Sequence, residues 1–277
     1  MVKVWIADFY LAVDRLFRML HTGTLAAFEG FWMGILPDSV IDRISERSYR
    51  SGFPYNTPVY LNAGLQIWEE IAVERFFAPG SKVLVAAAGA GREMIALARA
   101  GFEVDGFDCN RTLVAAGQQA LTERGIAGRL DWAPPCGTPA ISGIYGAAII
   151  GWNGYTHMAP RERRVAFLRS LSPHMCTGAP LLVSVFVNTN NGRAWGLTWK
   201  IANAVRRLTL RSPAVDAGAT FPGRPKHYFK KRQLEAELAE AGFTLVDWWT
   251  WGTSGAAVCR LSPRVPLESA APVLEAR

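Results

Sequence analysis

Several features that define common protein classes are scarce or absent in this sequence. Only four cysteines occur in 277 residues, and none of them form a C-x-x-C pair. This spacing argues against a zinc site and against a disulfide framework. The sequence also shows no signal peptide with a small-residue cleavage site and no uninterrupted apolar run long enough to span a bilayer. We therefore expect a cytoplasmic protein without a bound metal.

Acidic residues are also in short supply. The chain has 23 Asp and Glu against 30 Lys and Arg, which gives a net charge of +7. Between Arg193 and Arg232 the single acid is Asp216. This imbalance predicts an anionic partner: an acidic small molecule, a nucleic acid or a membrane surface. Half of the residues are hydrophobic, so the chain can bury a substantial core.

A strand–turn–helix–strand unit occupies residues 82–110. An apolar run at 83–88 predicts a buried parallel strand, and the turn from Gly89 to Gly91 predicts the start of a helix. A second strand at 104–107 ends on Asp108. Small residues let a ligand approach the backbone, the helix start offers free N–H groups, and a carboxylate can accept both ribose hydroxyls. This unit is suited to hold a nucleoside.

The spacing of the small residues Ala87, Gly89 and Gly91, together with Asp108, resembles class I S-adenosylmethionine-dependent methyltransferases. The resemblance extends over residues 61–261. It implies an α/β fold with a doubly wound, mostly parallel seven-stranded sheet that finishes in a terminal antiparallel hairpin. A helical N-terminal region and a helical insertion would be added to this fold.

The resemblance also implies S-adenosylmethionine as the cofactor. The family usually has an acid at the position of Val85 and a glycine at that of Ala87, so Glu93 or a residue from elsewhere would hold the methionine amino group. The acid Asp131 lies too early in the third strand to bind adenine, which leaves that contact to the backbone or to Cys136. The residues expected to bind the cofactor are Ala87, Gly89, Gly91, Glu93, Asp108, Cys109, Cys136, Trp152 and Tyr60.

The loop after the fourth predicted strand supplies the candidate catalytic residues. In doubly wound sheets, ligands bind at the carboxyl ends of the strands, so the loop at 152–158 should face the reacting group. His157 is the candidate general base because imidazole takes up a proton near neutral pH, and Asn153 and Tyr155 accompany it. The alternative is that His157 caps the following helix or simply packs.

The chain divides into three predicted parts. Residues 1–60 form a helical N-terminal region, residues 61–265 form the cofactor-binding domain with a basic insertion at 188–225, and residues 266–277 form a flexible tail. Tyr49, Tyr55 and Tyr60 lie in a loop that either contacts the ligand or is anchored by them. We expect the N-terminal helices to form a lid or a dimer contact rather than to lie on a membrane, because their polar face is not especially basic.

The leading functional hypothesis is methyl transfer to a small-molecule acceptor, held under a cap made by the N-terminal helices and the insertion. The insertion would recognise an anionic acceptor, cover the sheet with a solvated basic edge, or bind nucleic acid or a membrane. No D/N-P-P-Y motif follows the fourth strand, which argues against a nucleic-acid substrate. The alternatives are a non-catalytic or membrane-associated S-adenosylmethionine-binding protein, and an NAD-dependent oxidoreductase, against which Met94 counts. The oligomeric state stays open.

Overall fold

The computed structural model describes residues 2–48, 52–188 and 193–263. Its helices are α1 (Val2–Ile35), α2 (Asp38–Ser48), α3 (Pro58–Leu61), α4 (Ile67–Phe76), α5 (Arg92–Arg99), α6 (Arg111–Glu123), α7 (Arg161–Leu171), α8 (Arg193–Leu208) and α9 (Lys231–Glu240). Its strands are β1 (Lys82–Ala86), β2 (Glu103–Asp108), β3 (Leu130–Trp132), β4 (Ala147–Ile150), β5 (Pro180–Val187), β6 (Ala219–Thr220), β7 (Lys226–Phe229), β8 (Phe243–Trp251) and β9 (Ser254–Leu261). The predictions for Tyr49 and for the tail at 266–277 lie outside the described residues.

The strands form one mostly parallel sheet. Its main path runs β3-β2-β1-β4-β5-β9-β8, with β1 to β5 parallel and β9 antiparallel between β5 and β8. This path confirms the predicted doubly wound α/β fold with a terminal antiparallel hairpin. Two short strands are added beside the end of β5: β7 pairs with it in parallel, and β6 pairs with β7.

The apolar positions Leu234 and Leu238 predict a helix over residues 228–241, whereas the structure places Tyr228 and Phe229 in strand β7. His227 and Phe229 are buried, whereas Lys226 and Tyr228 are half-buried. This alternation has the period of two that a strand requires. The pairing of β7 with β5 is a contact between distant parts of the chain, and the helix begins at Lys231 rather than at Tyr228.

Apolar side chains cover both faces of the sheet. Phe167 of α7 and Leu234 of α9 pack on one face, and Leu97 of α5 and Leu121 of α6 pack on the other. Parallel strands are buried on both faces because their crossover helices lie on both. This burial explains the nearly continuous apolar runs in β1 and β5.

The N-terminal region begins with one long helix. α1 has 34 residues and packs along α8. A Cβ on Gly30 would lie 2.5 Å from the Thr198 carbonyl oxygen, and one on Gly34 would lie 2.5 Å from Val205 Cβ. These glycines let the two helices approach closely. The first helix therefore packs along α8, and its role as a lid or a dimer contact stays a prediction.

Candidate functional site

A cavity of about 530 Å³ opens at the carboxyl ends of β1, β2 and β4. Its walls come from the β1–α5 turn, the end of β2, the segment after β3 and the loop after β4. Ten of the predicted site residues line it: Tyr60, Ala87, Gly89, Glu93, Asp108, Cys109, Cys136, Trp152, Asn153 and His157. The structure thus brings together residues spread over about a hundred positions in the sequence.

The β1–α5 turn follows a left-handed backbone path. Ala87, Gly89 and Gly91 have φ angles of 51°, 56° and 87°. Glycine adopts such angles without strain, whereas alanine does so at a cost. Ala87 and Gly89 line the cavity. Gly91 does not line it and is the N-cap of α5. Gly91 thus has a role in the turn itself rather than in contact with the cavity.

Asp108 joins this turn to the end of β2. Its Oδ2 accepts the Gly89 N–H at 2.8 Å, and its Oδ1 accepts the Asn110 N–H at 2.8 Å. Burial raises the pKa of the Asp108 carboxyl, while these backbone donors oppose the rise. A carboxylate oxygen can accept more than one hydrogen bond. Asp108 therefore orders the turn and still has acceptor capacity toward the cavity.

A buried ionic cluster lies behind the turn. The Arg92 guanidinium donates to both carboxylate oxygens of Glu69, each at 2.9 Å, and to Glu93 Oε1 at 2.6 Å. Burial, and then the charge of Glu93, raise the pKa of the Glu69 carboxyl, although Arg92 opposes them. Burial alone would lower the pKa of Arg92, but its two carboxylate partners raise it. The cluster fixes Glu93 at the cavity wall.

Aromatic rings form the side of the cavity nearest Arg92. The rings of Tyr60 and Trp152 are stacked, with centroids 5.8 Å apart and an interplanar angle of 7°, and Tyr55 meets both edge-on. The Arg92 guanidinium lies 5.7 Å from the Tyr60 centroid and 5.8 Å from the Trp152 centroid. Because faces of aromatic rings attract cations, this wall favours a positively charged group.

The loop after β4 places its three candidate catalytic residues differently. Asn153 is buried, and its N–H donates to Ser184 Oγ at 2.8 Å, but its side-chain Oδ1 has no hydrogen-bond partner. Tyr155 is fully buried away from the cavity, where its hydroxyl donates to Glu237 at 2.7 Å. The structure therefore corrects the placement of Tyr155 at the site. Alternating positions of a tight loop point in different directions, which residue type alone does not reveal.

His157 lines the cavity as a neutral imidazole. Its Nδ1 lies 2.9 Å from the Pro225 carbonyl oxygen, and only a protonated Nδ1 can donate to that oxygen. Desolvation, with smaller effects of Arg224 and Lys226, lowers the pKa of His157 to about 4. At neutral pH the ring therefore has a free electron pair on Nε2, available to accept a proton or a hydrogen bond.

Several lining residues were not foreseen from the sequence. Helix α2 contributes Asp42 and Glu46, and the insertion contributes Arg224. Asp42 also pairs with Arg163 of α7 at 2.9 Å. The polar side of an amphipathic helix, such as that of Asp42 and Glu46, gives no signal that distinguishes a cavity wall from a solvated surface. Cys136, which was predicted, lies partly buried in the segment after β3, and burial raises the pKa of its thiol.

The described residues contain no group of three or more His, Cys, Asp or Glu side chains that could hold a metal ion. The side chains that line the cavity supply carboxylates, thiols, an amide, a guanidinium, an imidazole and aromatic rings. These groups can bind a nucleoside and a cationic centre, and they can accept a proton.

Comparisons with known proteins find relatives by structure alone. No protein-family model matches the chain, and no curated protein matches it in sequence. An S-adenosylmethionine-dependent methyltransferase from Methanosarcina mazei is 13% identical, with a TM-score of 0.58 over 72% of this chain and 98% of the other. A second such enzyme, from Clostridium acetobutylicum, is 10% identical, with a TM-score of 0.54 over 78% and 97%.

A third similar structure contains ligands. It is the 1,6-didemethyltoxoflavin-N1-methyltransferase of Burkholderia thailandensis, with 1,6-didemethyltoxoflavin and S-adenosylhomocysteine bound. It is 16% identical, with a TM-score of 0.57 over 83% of this chain and 92% of the other. The expected resemblance to class I methyltransferases is thereby confirmed for the fold.

Proposed function

We propose that this protein is an S-adenosylmethionine-dependent methyltransferase that acts on a small-molecule acceptor. The observation that carries the proposal is the hydrogen bond from the Gly89 N–H to Asp108, because both residues line a large cavity at the carboxyl ends of the central strands. The fold around these two residues is shared with structures of such enzymes. In open α/β sheets this position is where ligands bind.

The cavity offers a place for each part of the cofactor. Asp108 would accept the ribose hydroxyls, and Leu113 with the segment around Cys136 would enclose the adenine. The methionine would extend past Ala87 toward the wall formed by Tyr60 and Trp152. A sulfonium is a cation, so these ring faces suit it. All six residues line the same cavity.

Two acceptors could replace the acid that this family usually has at the position of Val85. The Val85 side chain is fully buried in the sheet, so the residue at this position offers no polar group. Glu93 reaches the cavity from the first turn of α5, and Asn153 lines it with a side chain whose Oδ1 is buried and has no hydrogen-bond partner. A buried oxygen without a donor is costly, and the ammonium of a bound methionine would supply one. We infer that Glu93 and Asn153 together hold this group.

The acceptor would bind at the end of the cavity near Phe186, His157 and helix α2. When bound, S-adenosylmethionine supplies an electrophilic methyl group on sulfur. The chain's contribution is to align the acceptor, exclude water and accept a proton at His157 Nε2. The excess positive charge of the insertion lies mainly on α8, and Arg224 is its member at the cavity. We therefore propose that the acceptor is a largely apolar molecule that can pack against aromatic rings. Helix α2 and Arg224 would form the cap over it.

Isothermal titration with S-adenosylmethionine, S-adenosylhomocysteine and NAD tests the proposal. We expect both adenosyl ligands to bind and NAD not to bind. Binding of NAD alone would overturn the proposal in favour of an oxidoreductase. Binding of S-adenosylhomocysteine, with no methyl transfer to any compound of an aromatic acceptor library, would favour a non-catalytic binding protein.

A His157→Gln variant tests the acceptor end separately. Glutamine can still donate to the Pro225 carbonyl but has no imidazole nitrogen at the cavity. We expect slower turnover with unchanged affinity for S-adenosylhomocysteine, and the largest loss for acceptors that must give up a proton. Unchanged turnover would remove His157 from the proton transfer.

A further inference from the structure

An exposed apolar surface runs along α1. We call its members the apolar stripe: Val13, Leu16, Phe17, Leu20, Phe28, Phe31 and Ile35. Each is between 40% and 71% exposed. At 3.6 residues per turn they fall on about one third of the helix circumference. Exposed apolar patches of this length are rare on isolated soluble proteins and mark interaction sites.

Within the chain α1 packs against α8, and this contact leaves the apolar stripe uncovered. The α8-facing side of α1 is formed by Ala26, Gly30, Met33 and Gly34, which occupy the neighbouring sector of the helix. The contacts of Gly30 with Thr198 and of Gly34 with Val205 show that the two helices run parallel. The part of α1 before Ala26 extends beyond these contacts. Because a helix of about 20 residues is only marginally stable in water without packing, this part of α1 requires a further partner.

A basic edge adjoins the stripe. The exposed side of α8 is formed by Leu197, Lys200, Ala204, Arg207 and Leu208. Because the two helices run parallel, the positions of these residues around α8 can be compared directly with those of the stripe around α1. This side of α8 faces the same way as the apolar stripe. From Arg193 to Arg211 the sequence contains five basic residues and no acid. The two helices therefore present one continuous face that is apolar along α1 and cationic along α8.

A second copy of the chain complements this face poorly. A twofold contact would place the same basic edge on both sides of the interface, and acids to neutralise it are missing from α8. On α1, Asp14 already pairs with Arg18 at 2.8 Å, and Glu29 accepts the Phe221 N–H at 3.0 Å. An anionic lipid surface supplies both the apolar interior and the negative charge.

We propose that the face formed by the apolar stripe, Lys200 and Arg207 docks the protein on an anionic lipid bilayer, with α1 lying in the plane of the interface. None of the described helices combines the length and the apolarity needed to cross a bilayer, so the contact is with one leaflet. The clustered rings of Phe28, Phe31 and Trp32 suit the boundary between headgroups and acyl chains. This proposal goes beyond the proposed function and does not depend on cofactor binding.

Vesicle co-sedimentation of the full chain tests the docking. Vesicles of phosphatidylcholine alone are compared with vesicles containing about 30% phosphatidylglycerol, at low and high salt. We expect binding to the anionic vesicles that weakens with salt. Phe17→Ser with Phe28→Ser should weaken it about tenfold or more, because two buried rings are lost. Lys200→Glu with Arg207→Glu should weaken it by at least a similar factor.

The matched control for the charge reversal is Lys231→Glu with Arg232→Glu. These exposed residues are on α9, away from the face, and they change the net charge equally. Their binding should fall far less than that of the α8 variant. The proposal is overturned by absence of binding to anionic vesicles, by equal loss in both charge variants, or by binding that the Phe17/Phe28 variant retains. It is also overturned if light scattering without lipid shows a dimer that the Phe17/Phe28 variant lacks and that added vesicles do not dissociate. Titration with S-adenosylhomocysteine on the same samples shows separately whether the proposed function fails.

Discussion

Replacing Asp108 by Ala separates a structural role of this carboxylate from a role in cofactor binding. The side chain is 9% exposed and accepts two backbone N–H groups at 2.8 Å each. In the proposed complex it also accepts the ribose hydroxyls. Loss of a pair of such charge-assisted bonds corresponds to about 2–4 kcal/mol of binding free energy. We therefore expect the dissociation constant of S-adenosylhomocysteine to rise about 30- to 1,000-fold.

The same substitution should also destabilise the fold, because Gly89 and Asn110 lose their acceptor. Asp105→Ala is the matched control. Asp105 lies on the same strand, is 8% exposed, pairs with Lys82 at 2.8 Å and accepts the Tyr145 hydroxyl at 2.9 Å. It does not line the cavity. Its replacement should lower the free energy of unfolding by a comparable amount and leave ligand affinity unchanged.

Calorimetric titration measures the affinities, and urea denaturation measures the stabilities of both variants. Titrations are run where circular dichroism shows each variant folded. The reasoning is refuted if Asp108→Ala binds S-adenosylhomocysteine within about threefold of the original protein, a difference below 1 kcal/mol. It is also refuted if Asp105→Ala weakens binding as strongly, because the effect would then come from general loosening of β2.

Three further predictions concern stability and are measured by urea denaturation. Glu69→Ala leaves the buried Arg92 with one carboxylate and should cost about 3–5 kcal/mol. Breaking the exposed Asp14–Arg18 pair should cost far less, and equal costs would contradict this account. Ala87→Gly relieves a φ of 51° and should stabilise by about 1 kcal/mol, and a loss of stability would show that Ala87 is unstrained. Folding lowers the pKa of His157 from 6.5 to about 4, so its stabilisation is complete above pH 6.5 and is lost as pH falls toward 4. Between pH 7 and 5 the original protein should lose about 2 kcal/mol more than His157→Gln, and parallel pH profiles would contradict the shift.

Local patterns in the sequence predicted the central part of the fold. The apolar run before Gly89 and the carboxylate at Asp108 are adjacent to the turns that they form, so their spacing is enough to indicate a nucleoside-binding corner. Helix α6 likewise depends on a neighbour in sequence, because the side chain of its N-cap Asn110 accepts the Leu113 N–H at 3.0 Å. The cavity-lining positions of Glu93 and Trp152 followed from the same order of strands.

Other features depend on contacts between distant parts of the chain. Tyr155 is drawn into the core by Glu237, 82 residues away, and residues 226–229 become a strand because the end of β5 is available for pairing. Neither partner is visible in local periodicity. The contribution of α2 to the cavity wall is likewise set by how that helix packs.

The sequence by itself determined the βαβ unit, the series of strands and the excess of positive charge. Only the tertiary structure decided where that charge and the N-terminal aromatic residues lie. α1 docks on α8 through Gly30 and Gly34, which leaves the apolar stripe and the basic edge facing outward together. Periodicity shows that a helix has an apolar side, but the packing of neighbouring elements decides whether that side is buried. For this protein the packing decides between the expected lid over the cavity and the outward-facing surface that we propose binds a membrane.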